Sequence, residues 1–121
     1  MDKKQNIAII GAGSFAREVY YLLDKSIFHC VGFIAFDKTE RILPAPIIGH
    51  ESDMDRLIND FNFSDCIIAI GDQEKRKIIY HKINNFPLMF PNIIDLSARC
   101  LTEHIKKGTI IYPSVVIMND S

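Results

Sequence analysis

Apolar positions in this chain fall in short blocks whose period changes along the sequence. Asn6–Ile10 (NIAII) is a short apolar run that stops at Gly11, the pattern of a strand buried on both faces. From Ser14 the period lengthens. Ala16, Val19, Tyr20, Leu22 and Leu23 form one helical stripe, with Arg17, Glu18 and Asp24 largely off it. Strand, glycine loop and helix open a βαβ unit.

The same alternation continues. His29–Ile34 (HCVGFI) reads as a second strand, parallel to the first, and the charges and prolines from Asp37 to Pro46 as a loop. Pro46–Ile48 makes a short strand closed by Gly49. Ser52-Asp53-Met54-Asp55 matches a capping box, which predicts a helix with Met54, Leu57, Ile58 and Phe61 as its apolar stripe. Cys66–Ile70 (CIIAI) predicts a central strand ending at Gly71-Asp72, with Asp72 suited to N-cap a third helix. In that helix Ile78, Ile79 and Ile83 are expected to face inward, and Met89–Ile94 supplies a last strand. Strands alternating with helices imply an α/β fold: a small Rossmann-like parallel sheet, covered on both sides, over residues 1–96.

After Ser97 no helical stripe remains. Ile105, Ile111 and Ile117 recur every six residues, with Thr109, Val115 and Ser121 at the fifth place of each hexad. Residues 97–121 therefore read in one of two ways. They begin a hexapeptide-repeat left-handed β-helix, or they form a β-hairpin of Gly108–Ile111 and Val115–Met118 turning at Tyr112-Pro113-Ser114.

Composition narrows the function. The 121 residues carry 14 Lys+Arg against 15 Asp+Glu, a formal charge of -1, so no basic excess recruits a nucleic-acid backbone. Apolar runs stay far below the roughly 20 residues that span a bilayer, and Gly11, Gly13, Arg17 and Glu18 interrupt the first one too early for a secretory signal. A cytoplasmic location is expected. Cys30, Cys66 and Cys100 are odd in number and form no CxxC pair, which suits reduced, buried thiols. His29, His50, His81 and His104 show no metal-ligand spacing, so no metal is expected.

Two junctions carry candidate chemistry. Gly11-Ala12-Gly13-Ser14-Phe15-Ala16 is a G-x-G-x-x-A loop between strand and helix. There Gly11 allows a tight turn, Gly13 a close backbone approach to a diphosphate, and Ala16 close helix–strand packing. The helix N-terminus and the Ser14 hydroxyl would then face the anion; a plain βα turn is the alternative. Gly71-Asp72-Gln73 forms the second junction, and both lie on the carboxyl edge of a parallel sheet, where ligands bind. Arg76 would reach a phosphate or pair with Asp72. Asp37, just past the second strand, is placed to bind ribose hydroxyls or to be a solvated loop residue. No catalytic constellation is visible.

Taken in order, Ile9 to Val19, Val31-Gly32-Phe33-Ile34, Ile68-Ala69-Ile70-Gly71-Asp72-Gln73 with Arg76, Ser97-Ala98 and the hexads resemble one family. The chain is similar to the N-terminal part of the sialic-acid O-acetyltransferases, which include bacterial UDP-amino-sugar N-acetyltransferases. The resemblance implies a domain binding a UDP- or CMP-linked sugar through Gly11, Gly13, Ser14, Gly71, Asp72, Gln73 and Arg76. It also implies a trimeric left-handed β-helix holding acetyl-CoA, the co-substrate, with a histidine as general base. The chain departs from the family in two places: Ala35 and Phe36 replace an Asp-Asp pair, leaving Asp37, and Asp95-Leu96 replaces His-Pro.

The hexads supply about one β-helix coil, whereas about three repeats are needed to bury a core. The chain is therefore expected to be a truncated acetyltransferase of surface-glycan biosynthesis, inactive alone and not itself binding acetyl-CoA. It would be monomeric or weakly self-associating, with no nucleic-acid or membrane partner. An NAD(P)-binding module of an oxidoreductase and a non-catalytic interaction domain are the other readings.

Overall fold

The computed structural model describes residues 4–35, 43–91, 93–94, 110–112 and 115–117. Its elements run β1 (Gln5–Ile10), α1 (Ser14–Leu22), β2 (Phe28–Ile34), β3 (Ile47–Gly49), a 3-10 turn (Glu51–Asp53) and α2 (Met54–Phe61). They continue with β4 (Asp65–Ile68), α3 (Gln73–Ile83), β5 (Ile93–Ile94), β6 (Ile110–Tyr112) and β7 (Val115–Ile117).

The first four strands form one parallel sheet in the order β3-β2-β1-β4. The order places β1 between β2 and β4, so the chain leaves β1 towards one side and later returns to its other side. In parallel sheets such a reversal marks the place where ligands bind in a crevice, here beyond the carboxyl ends of β1 and β4. Successive residues of β1 point to opposite faces. Ile7 and Ile9 pack with Ala16, Val19 and Leu23 of the α1 layer. Ala8 and Ile10 pack with Met54, Leu57, Ile79 and Ile83 of the α2 and α3 layer. Each face of β1 is thus covered by helix, and the expected α/β fold, a small Rossmann-like parallel sheet covered on both sides, holds.

Several local expectations change. Ile78 is 55% exposed, because a neighbour one residue from the inward Ile79 lies about 100° away around the helix. The Ser52–Asp55 capping box does not form: a 3-10 turn precedes α2, and Asp53 makes no side-chain cap bond. Instead His50 caps the turn, its Nδ1 accepting from the Ser52 N–H at 3.1 Å. β4 stands at the end of the four-strand order rather than at its centre, yet it is buried throughout. Its outer side is bridged at Asp65 by Met89, whose carbonyl accepts the Cys66 N–H at 2.9 Å.

Near the end of the chain, β5 pairs parallel with β6, and β6 pairs antiparallel with β7 through Ile110↔Ile117 and Tyr112↔Val115. The β6–β7 pairing is that of the hairpin alternative. Residues 95–109, 113–114 and 118–121, which include Ser97, Ala98, Cys100, His104 and Ile105, lie outside the described residues, as do Phe36 and Asp37.

Candidate functional site

Gly11 ends β1 with its N–H donating to the Ile34 carbonyl at 2.7 Å. Its φ of +124° is closed to L side chains, and an added Cβ would lie 2.5 Å from the Ala69 carbonyl oxygen and 3.4 Å from the Ala16 Cβ. The Ala69 N–H in turn donates to the Ile10 carbonyl at 2.8 Å. The β1–α1 and β4–α3 loops are therefore fastened back to back at the crevice. This contact requires glycine at position 11, while Ala16 is fully buried against β1.

Gly13 has ordinary extended backbone (φ −95°) and is the N-cap of α1. It is exposed, with no atom within 4 Å of where its Cβ would be. Ser14 begins α1 and is exposed. The first turn of α1 holds no acidic residue, and Gly13 supplies no side-chain cap. A positive helix end without a carboxylate of its own is suited to an external anion.

The start of α3 is built differently. The Asp72 carboxylate accepts from the N–H groups of Glu74 at 2.9 Å and Lys75 at 3.2 Å, and Glu74 adds a second acid to the first turn. This helix end is therefore satisfied by its own chain, as the N-cap expectation for Asp72 required. Gly71 and Gln73 are exposed beside it, and the space over Gly71 is as open as that over Gly13.

Arg76 is 5% exposed. Its Nη1 donates to the Ile70 carbonyl at 3.1 Å and the Gly71 carbonyl at 3.0 Å. Burial pulls the guanidinium below its ordinary pKa, and the charge of Asp72 partly offsets this. The interior carbonyl bonds are a role that spacing along the chain does not reveal.

The structure thus brings Gly11, Gly13 and Ser14 to the same sheet edge as Gly71, Asp72, Gln73 and Arg76, on adjacent strands. Asp37 lies outside the described residues. His29 and His81 are exposed and away from these loops along the chain; His50 closes β3 on the carboxyl edge, engaged with Ser52. Among the described residues no group of three or more His, Cys, Asp or Glu could hold a metal, and no helix is long and apolar enough to cross a membrane.

The family profile described as the PglD N-terminal domain matches residues 6–83, from β1 through α3 and across both loops. Among solved structures, a variant of perosamine N-acetyltransferase from Caulobacter crescentus, in complex with CoA and GDP-perosamine, superposes with a TM-score of 0.66 at 25% identity. The match covers 76% of this chain and 43% of that one. The acetyltransferase domain of PglB from Neisseria gonorrhoeae, in complex with acetyl coenzyme A, gives 0.62 at 20% identity, over 78% of this chain and 46% of that one. UDP-D-quinovosamine 4-dehydrogenase from Vibrio fischeri gives 0.60 at 24% identity, over 72% and 75%. The last two likenesses concern the fold alone. This chain spans less than half the length of the two acetyltransferases. No curated protein matches the sequence.

Proposed function

The chain belongs to the PglD N-terminal domain family, and on that premise we propose that it is the sugar-nucleotide-binding domain of an acetyl-CoA-dependent sugar O- or N-acetyltransferase of surface-glycan biosynthesis. The observation that carries the reading is the fastening of the two loops at the β1/β4 crevice, within the family-matched region. A helix end with no acid in its first turn and open space over Gly13 and Gly71 stand together there. The perosamine acetyltransferase that shares this fold was solved with GDP-perosamine, which supports a nucleotide diphosphate sugar as the ligand class.

In this reading the diphosphate lies against the start of α1, with Gly11 setting the turn, Gly13 the approach and the Ser14 hydroxyl a further donor. Gly71, Asp72 and Gln73 form the opposite wall with Arg76 behind it, and Asp37 meets the ribose. Acetyl-CoA is the co-substrate of the whole protein, whose reaction moves an acetyl group from the thioester sulfur to a sugar amine or hydroxyl. We place the domain's end near residue 96 and the protein in the cytoplasm. The six-residue spacing of isoleucines from Ile105 onward supports that boundary.

Isothermal calorimetry with UDP-, GDP- and CMP-linked sugars, set against NAD and NADP, tests the proposal. Saturable binding of a nucleotide sugar is expected. Binding of a dinucleotide with no response to any nucleotide sugar would replace it with the oxidoreductase reading.

A further inference from the structure

A buried arginine normally finds a carboxylate, because an unneutralised interior charge is expensive. No ion pair of the described residues involves Arg76. Its hydrogen bonds run through Nη1 to two successive backbone carbonyls, those of Ile70 and Gly71, and its buried Nε has no partner among the described residues. The peptide plane makes that choice consequential. In a trans peptide the carbonyl of one residue and the N–H of the next point in opposite directions, and no peptide bond among the described residues is cis. Carbonyls of Ile70 and Gly71 turned inward on the guanidinium therefore turn the N–H groups of Gly71 and Asp72 the other way. Both of those residues are exposed. Successive N–H groups directed to one side of a loop form an anion-binding concavity.

We infer that Arg76 is a positioning residue of the nucleotide-sugar site: it stays beneath the β4–α3 loop and holds the Gly71 and Asp72 amides towards the ligand's diphosphate. The inference deepens the proposed function and rests on it. Arg76 also steadies the loop against β1, because Ile70 follows Ala69, whose carbonyl abuts Gly11. Arginine suits the task because one planar nitrogen reaches both carbonyls while the charge survives burial. The ammonium of a lysine can serve the same two acceptors but loses its proton more readily there.

The test compares wild type, Arg76→Lys and Arg76→Met in the full chain, with UDP-N-acetylglucosamine and GDP-mannose as probes. Affinity for whichever probe binds is expected to fall about tenfold or more in Arg76→Met, measured below its unfolding temperature, and to be partly restored in Arg76→Lys. Amide hydrogen exchange of the free protein should speed up at Glu74 and Lys75, whose N–H groups the Asp72 carboxylate of this loop holds, in Arg76→Met while β1 and β2 stay protected. The guanidinium resonance of Arg76 in the wild type should not move when the probe is added. Unchanged affinity, unchanged exchange at the two amides, or a guanidinium signal that shifts on binding would each overturn the inference. A wild type that binds neither these probes nor any other nucleotide sugar removes the functional reading instead. The exchange pattern, which needs no ligand, then decides by itself whether Arg76 holds the loop.

Discussion

The carbonyl oxygen of Ala69 occupies the place where a side chain on Gly11 would begin: a Cβ there would lie only 2.5 Å away. Ala69 belongs to the loop after β4 and Gly11 to the loop after β1, so one backbone atom sets the spacing of the two walls of the site. Gly11→Ala meets this oxygen and also a φ of +124°, and neither can relax without parting the strands. Backbone strain of about 1–3 kcal/mol and overpacking of similar size combine, so a loss of about 3 kcal/mol is expected. Urea unfolding followed by circular dichroism checks it, as a lower midpoint with an unchanged slope.

Gly13, two residues on, behaves in the opposite way. Its backbone angles suit any residue, and open space lies above it. Gly13→Val should therefore alter stability by no more than about 1 kcal/mol, the cost of a poorer N-cap. Its branched side chain would, however, fill the space in which the diphosphate is proposed to lie, and nucleotide-sugar affinity should fall by about tenfold or more. Calorimetry and urea unfolding on the same preparations separate the two effects. Equal affinity with equal stability would place the ligand elsewhere.

Asp72 has a measurable structural task apart from any ligand. Its carboxylate accepts from two amides at the start of α3, at 2.9 and 3.2 Å. Asp72→Ala should cost about 1 kcal/mol, whereas Asp72→Asn, which also caps well, should retain most of that stability. Chemical denaturation of the three proteins at neutral pH decides it.

What could be read from the sequence was whatever depends on neighbours in the chain. The strand–glycine–helix order at Gly11, the N-cap at Asp72 and the parallel sheet all follow from local spacing. Arg76 did not, because its partners are carbonyls five and six residues back, exposed to it by the way the β4–α3 loop folds under itself. The capping box at Ser52 failed for a related reason. The chain enters α2 through a 3-10 turn capped by His50, which moves the helix N-cap from Ser52 to Asp53. Ile78 and Ile79 are adjacent on one helix and cannot both face the core, so the pair with four-residue spacing, Ile79 and Ile83, took the inward side. In the tail, six-residue spacing suits a β-helix and a hairpin alike, and only the register of Ile110 with Ile117 distinguishes them.

Asp65 opens β4 beneath the sheet, far along the strand from the candidate site. It is buried beside Ile7 and Met89, and no ion pair of the described residues includes it. Burial raises its carboxyl pKa above the ordinary value, since desolvation disfavours the charged form. The folded chain therefore holds this proton at pH values where the unfolded chain has released it. By linkage, its favourable contribution is complete below the unfolded carboxylate pKa and is lost as pH rises through the raised folded value. Above that folded value the ionised Asp65 is a net liability. Asp65→Asn keeps the shape and removes the charge, so it should be more stable than wild type at pH 7. That advantage should shrink towards zero as the pH is lowered below the ordinary carboxylate range. Urea unfolding of both proteins across a pH series measures the difference directly. A gap that stays constant with pH would mean that the Asp65 carboxylate is well solvated in the folded state.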